Sequence, residues 1–302
     1  MSRETFRRTL KEKGQLALKT QSSKKRESEI LQVAKSPVVT MAATTPIYDA
    51  IQIMTKEGFR RIPIANPGTK VLEGIITATD IIDYLGGGKK FEVIEQRFGG
   101  NFFKAINEPI RLIMVKDVVS VKTSAKISKA IELMKEKNLG GLPVVDDKNS
   151  VKAIITERDV AHIFADRISS IKVSQIMSKN IITALPTTTI FEAEKTMIMQ
   201  GFRRLPIISN GKVVGIITSM DIIRFFGSGK VFKYLQSKTI KQVLNTLALD
   251  IATREVLTIE SQADVGYAAK IMQDKNVGAI PVVQSGKLVG IITERDFFKI
   301  IE

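Results

Sequence analysis

The sequence predicts a mixed α/β (α+β) protein assembled from four copies of one β-α-β-β-α unit, and three observations predict it. Four short apolar strands each carry a proline, at Pro63, Pro143, Pro206 and Pro281. Four similar endings follow them, GIITATD, AIITERD, GIITSMD and GIITERD, which close on Asp80, Asp159, Asp221 and Asp296. Each aspartate lies 15 to 17 residues after its proline, and a spacing held four times in one chain marks internal repetition.

The first repeat sets out the elements in order. An apolar strand is expected around residues 37–40, where the fold-bearing sequence begins at Ser36. A helix opens near Pro46 and carries Ala50, Ile53 and Met54 at helical spacing, which predicts a core-facing stripe. Gly58 stands where a left-handed cap ends such a helix. RRIPIA, the turn NPG and VLEGIIT then read as a hairpin. A second helix starts at Thr77 with TATDIIDYL. The same order returns over residues 118–164, 181–226 and 256–301. Met54, Met134, Met197 and Met272 share one position of the first helix and are assigned to the core.

The four copies are of two kinds. The first and third share GFRR-(Ile/Leu)-PI and end in TATD or TSMD, whereas the second and fourth share N-(Leu/Val)-G-(Gly/Ala)-(Leu/Ile)-PVV and end in TERD. The expected organisation is a duplicated pair: one module over 36–168 with repeats at 36–86 and 112–168, and one over 169–302 with repeats at 172–227 and 248–302. A single unit has an apolar sheet face that it cannot bury alone, so pairing is the physical expectation.

Composition excludes several kinds of chemistry. The chain of 302 residues has no cysteine, which removes disulfides, thiolate metal sites and cysteine nucleophiles. A single histidine, His162, leaves neither a histidine metal cluster nor a Ser-His-Asp triad. No paired-carboxylate constellation can be defended, so no active site, catalytic cofactor or metal is expected. No apolar run approaches the ~20 residues that cross a bilayer, and the N-terminus lacks the apolar core of a secretory signal. The expected address is cytoplasmic, away from membranes.

The formal net charge is +15, which favours anionic partners. Residues 1–35 form an expected basic N-terminal tail with ten Lys/Arg against four Glu. Such a run is either a solvated tail or an electrostatic arm for RNA, DNA or an acidic protein.

With these residues in view, the chain resembles the CBS (cystathionine-β-synthase) domain family. The four hydrophobic-Pro strands and the four I-T-x-x-D endings carry the resemblance, which covers nearly everything from Ser36 onward. Two CBS repeats make a Bateman module, and four resemble the regulatory γ subunit of AMP-activated protein kinase. The resemblance implies two Bateman modules packed face to face in a flat disk. It also implies AMP, ADP or ATP held in clefts between paired repeats, with no catalytic domain. Many proteins of this kind have no assigned protein partner, and modules can pair within one chain or across a homodimer.

The resemblance also proposes site residues. In T-x-x-D, the pairs Thr77 and Asp80, Thr156 and Asp159, Thr218 and Asp221, and Thr293 and Asp296 can be read as helix capping boxes. Capping explains the threonines better than the aspartates, because the reciprocal bond is better reached by Glu or Gln. A short carboxylate there suits a ribose 2′/3′ diol, which is its role in the family, and a helix N-terminus favours phosphate. Arg60, Arg61, Arg203 and Arg204 begin a strand, where alternation sends the members of each pair to opposite faces. They are either solvated and ion-paired or bind phosphate bidentately. Gly140, Gly141, Gly278 and Ala279 replace them in the other two repeats, either for tight sheet packing or to leave a slot for a flat adenine. Ser178 and Thr253 are candidates for the base edge. The resulting division of labour gives phosphate-binding arginines to one repeat of a module, and the adenine slot and ribose aspartate to the other.

Other features invite less. Arg158 and Arg295 lie beside Glu157 and Glu294 and read as surface ion pairs, with phosphate contact as the alternative. GGGK at 86–89 and GSGK at 227–230 lack the P-loop spacing and read as flexible exits from a helix. The function expected is reversible, non-catalytic sensing of adenine nucleotides. A nucleic-acid-binding protein tuned by its nucleotide sites, and a structural adaptor with vestigial clefts, are the alternatives.

Overall fold

The computed structural model describes residues 28–165, 170–229, 231 and 239–301. The chain forms two compact units: one comprises Val39–Val118 and Ile182–Val256, the other the chain up to Val38 with Val119–Ile181 and Leu257–Glu302. The first unit therefore holds repeats one and three, and the second holds repeats two and four. This grouping differs from the sequential modules 36–168 and 169–302. It follows kind: repeats of the same type pack together.

Each repeat centres on an antiparallel hairpin. The strands are β1 (Arg61–Ala65) and β2 (Leu72–Thr77) in repeat one, with β4 (Gly141–Val145) and β5 (Val151–Thr156) in repeat two. Repeat three has β6 (Arg204–Ser209) and β7 (Lys212–Thr218), and repeat four has β9 (Ala279–Gln284) and β10 (Lys287–Thr293). All four hairpins carry a register shift late in the first strand. The marker prolines pair across with Ile75, Ile154, Ile216 and Ile291. No ladder bond at Pro63 needs a donor: its carbonyl accepts Met41 N–H, and the next bond is donated by Ala65 to Met41 O.

The parallel strand that opens each repeat is shorter than expected. It is two residues long in repeats two and four, β3 (Val121–Lys122) and β8 (Ile259–Glu260), and shrinks to single parallel bridges at Met41 and Ala184 in repeats one and three. Residues 37–40 form no strand.

The other edge of every hairpin is covered by the segment that leads into a different repeat. Lys35 bridges Ile154, Val115 bridges Ile75, Ser178 bridges Ile291 and Thr253 bridges Ile216. Repeats one and two thus exchange lead-in segments, as do repeats three and four. Glycine opens the strand where the lead-in crosses it: a Cβ at Gly74 would sit 2.8 Å from Met114 Sδ. This exchange also moves a boundary. The tail does not run through residue 35, because Glu29–Gln32 form a 3₁₀ turn whose Ile30 is 0% exposed in the core of repeat two. Burial of one isoleucine is worth about 2 kcal/mol, which acts together with buried Ala34 and the paired backbone bonds between Lys35 and Ile154 to hold this segment on the fold. Residues 1–27 lie outside the described residues.

The first helix of repeat one spans Ile47–Glu57 and stops at Gly58, which takes the left-handed conformation at φ 69°. Its buried stripe is Ile47, Ala50, Ile51 and Met54, and Ile53 packs partly buried against the same core. All four marker methionines are fully buried. The unit of repeats one and three shares one continuous apolar core, from Ile51 and Met54 through Tyr84 and Phe102 to Met197 and Phe226. The unit of repeats two and four has two apolar clusters instead. Among the described residues no helix is long and apolar enough to cross a membrane.

The GGGK stretch is no flexible exit. Gly86 and Gly87 are buried in a single π-type turn, Asp83–Gly87, against the helix Ile190–Gln200. A Cβ on Gly86 would lie 2.5 Å from Glu194 Oε2. Gly227 is tight as well, its carbonyl accepting from Gln52 Nε2 at 2.6 Å.

Candidate functional site

The four T-x-x-D endings fold identically. Each threonine ends a strand in extended conformation and caps the following helical turn. The aspartate Oδ2 accepts both the backbone N–H and the hydroxyl of its threonine: 2.9 and 2.6 Å at Asp80, 2.8 and 2.7 Å at Asp159, 2.9 and 2.6 Å at Asp221, and 2.8 Å twice at Asp296. The expectation that an aspartate serves this box poorly is therefore corrected. The Thr hydroxyl itself donates to the carboxylate, so the short side chain suffices. A second bond fixes the turn to its hairpin, since the residue after each threonine donates to the carbonyl before the first strand. These bonds are Ala78 to Arg60 and Ser219 to Arg203 at 2.9 Å, and Glu157 to Gly140 and Glu294 to Gly278 at 3.2 Å.

This geometry aligns the expected site residues. Arg61 pairs directly across from Thr77 and Arg204 from Thr218; Gly141 faces Thr156 and Ala279 faces Thr293. Arg60 and Arg203 precede those strands. The arginines are half-buried, while Gly141 and Ala279 are buried. Ser178 and Thr253 lie on strands β10 and β7, held by paired backbone bonds to Ile291 and Ile216. Ser178 Oγ donates to Asp296 Oδ1 at 3.3 Å. Their counterparts in the other two lead-ins are Lys35 and Val115, which the sequence reading did not single out.

Also unforeseen were the cations at the second carboxylate oxygen. Lys90 Nζ donates to Asp80 Oδ1 at 2.7 Å, Arg224 Nη1 to Asp221 Oδ1 at 2.8 Å, and Lys299 Nζ to Asp296 Oδ1 at 2.8 Å. Arg224 and Lys299 lie three residues past their aspartates, a spacing legible in a helix. Lys90 carries no such signal, because it returns through the glycine turn. The position is held by His162 in repeat two. Burial, with Arg158 nearby, pushes the His162 imidazole below its ordinary range, and Asp159 is pushed up chiefly by burial. Asp159 Oδ1 has no partner among the described residues.

Arg158 and Arg295 do form ion pairs, but not with their neighbours in sequence. Arg158 Nε reaches Glu294 Oε1 at 2.6 Å and Arg295 Nε reaches Glu157 Oε1 at 2.5 Å, each crossing to the other repeat. Both glutamates are 1% exposed, so this is a buried clasp rather than a surface pair. Asn276 and Asn138 accept from the outer guanidinium nitrogens. Repeats one and three have Ala78 and Ser219 where the clasp glutamates stand. Among the described residues no group of three or more His, Asp or Glu could hold a metal ion.

The chain is thus built from a repeated hairpin-and-capped-turn unit whose aspartate is fixed at the turn, and the comparison with known families recognises the same unit. The CBS domain model matches residues 29–87, 110–166, 173–228 and 248–302, and the chain belongs to that family. It is 38% identical over 273 residues to the uncharacterised protein MJ1225 of Methanocaldococcus jannaschii, covering 89% of this chain and 98% of that one. The crystal structure of MJ1225, a candidate archaeal homologue of γ-AMPK, superimposes with a TM-score of 0.86 at 37% identity, over 90% of this chain and 99% of that one. An uncharacterised 33.4 kDa protein of Thermofilum pendens is 31% identical over 260 residues, 86% of each chain. An uncharacterised conserved protein of Pyrococcus horikoshii shares the fold, with a TM-score of 0.57 at 21% identity over 89% of this chain and 96% of that one.

Proposed function

We propose that this chain is a non-catalytic regulatory protein that binds AMP, ADP or ATP reversibly and passes their level to a partner. The observation that carries the reading is the fourfold aspartate whose Oδ2 is committed to the threonine cap, which makes Oδ1, shared with a cation in three repeats, the acceptor for a ribose diol. Arg60, Arg61, Arg203 and Arg204, at the strand starts that face or precede those caps, are the phosphate ligands in this reading. Gly141 and Ala279 give the adenine slot, and Ser178 and Thr253 the base edge. The likeness to MJ1225 supports energy sensing as the role.

A thermal-shift panel with AMP, ADP, ATP, NAD and S-adenosylmethionine tests the reading. Ligand at a hundred times its Kd stabilises by about 2.7 kcal/mol, so a clear rise in Tm is expected for at least one adenine nucleotide. Arg61→Ala and Asp159→Ala should each weaken AMP. Wild-type affinity in both variants, or no shift with any adenine compound, overturns the proposal in favour of an adaptor.

A further inference from the structure

The four aspartates divide into two that an ammonium ties to a lead-in segment and two that it does not. In repeat one Lys90 Nζ bonds Asp80 Oδ1 at 2.7 Å and the Ile113 carbonyl at 2.9 Å. In repeat four Lys299 Nζ bonds Asp296 Oδ1 at 2.8 Å and the Ile176 carbonyl at 2.6 Å. Ile113 and Ile176 occupy the same place in their lead-ins, each two residues before the residue that bridges the hairpin edge, Val115 and Ser178. The lysines come from unrelated positions, ten residues after one aspartate and three after the other. Two independent sequence solutions therefore build one device, an ammonium that staples the capped aspartate to the incoming segment. Repeats two and three lack it: Asp159 Oδ1 has no partner among the described residues, and Asp221 Oδ1 accepts from Arg224 Nη1 at 2.8 Å, a guanidinium that bonds no lead-in carbonyl.

We propose that Lys90 and Lys299 gate the aspartates of repeats one and four, so that a ligand carrying a cis-diol binds first at Asp159 and Asp221. This rests on the ribose-anchor reading above. Oδ2 already accepts two hydrogen bonds in every repeat, so a diol depends on Oδ1. A neutral hydroxyl arriving at a stapled Oδ1 must displace an ammonium that is also tied to a lead-in carbonyl, whereas at Asp221 the Arg224 guanidinium bonds the carboxylate alone and can swing aside. At Asp296 the competition is heavier, because Ser178 Oγ also donates to Oδ1 at 3.3 Å. Opening a staple frees the lead-in at the same time, since the ammonium gives up the Ile113 or Ile176 carbonyl. Filling the gated pair is thereby linked to movement of the lead-in, and filling the other pair is not.

Isothermal titration of the full chain with adenosine, which has the diol and no phosphate, tests the gate without the confounding loss of a phosphate-binding charge. Wild type should bind at two sites, and Asp159→Asn should lose one. Lys90→Met and Lys299→Met should each tighten one further site by roughly three- to tenfold. In Lys90→Met the amides of Ile75 and Val115 should also exchange hydrogen faster. Adenosine binding to wild type with unchanged or weaker binding in both lysine variants overturns the gate and leaves the nucleotide reading standing. No adenosine binding in wild type or variants, combined with no response to AMP, ADP or ATP, overturns the nucleotide reading and the gate with it.

Discussion

The threonines of the T-x-x-D endings carry both halves of a cap, because each hydroxyl donates to its aspartate, and Thr77 and Thr218 also accept the aspartate N–H at 3.2 and 3.3 Å. Thr218→Ala should cost about 1 kcal/mol by denaturant titration. It should also weaken a diol ligand, because Asp221 loses what fixes its rotamer. Glu194 is the residue that breaks its own pattern. It is 0% exposed with both carboxylate oxygens unpartnered, at a position held by Ile51, Ile131 and Ala269 in the other repeats. Burial alone pushes its carboxyl well above the ordinary range of 4.5. An acid with a raised folded value contributes its full stability below about pH 4.5 and loses it as pH rises through that folded value. The stability advantage of Glu194→Gln over wild type should therefore widen between pH 5 and pH 8 in urea titrations. An advantage that does not change with pH would mean that Glu194 is ionised in the fold. The identity of this residue was visible in the sequence, since it interrupts an apolar stripe. Its burial without a partner was not, because that depends on Gly86 arriving from 108 residues earlier.

At the scale of elements, like repeats meet with one difference. Both pairs share apolar contacts, as in the packing of Phe164 on Phe297, but only repeats two and four add the crossed Glu–Arg clasp. Arg158→Ala removes a charge-assisted bond from a buried carboxylate, so it should destabilise by about 3 kcal/mol, with Glu294 left in place. The double variant Arg158→Met with Glu294→Met should recover most of that loss, because replacing both partners removes the desolvation penalty. Denaturant titration of the two variants checks this, and equal losses would mean that the clasp carries no net ionic term. The TERD spelling named these residues without revealing their partners. Sequence places Glu157 beside Arg158, but adjacent helical residues point in different directions. Only the packing of the two helical turns shows that each arginine serves the other repeat. The hairpins, caps and marker methionines were legible because they obey local periods. The opening strands were not, since one or two bridging residues leave no period to read.

At the scale of the molecule, the net charge of +15 predicts binding to polyanions with a steep salt dependence. Filter binding to single-stranded RNA should fall sharply between 50 and 200 mM salt, and deleting residues 1–27 should abolish it; retained binding would place the site on the repeats. The expected tail shows how far a compositional boundary can stray. Charge continues to Lys35, yet Ile30 and Ala34 already belong to the core of repeat two. The pairing of repeats was legible as a duplication, but not as the grouping of like with like, because that grouping lies in helix contacts with no counterpart in the alternating spelling. The exchanged lead-ins have a historical consequence. A hairpin whose outer strand is covered by another repeat's opening segment would be left with an exposed edge if that repeat were deleted. The smallest piece of such a gene that can be copied, fused or lost without producing a sticky sheet is therefore two repeats long. Lineages of this protein should grow and shrink in even numbers.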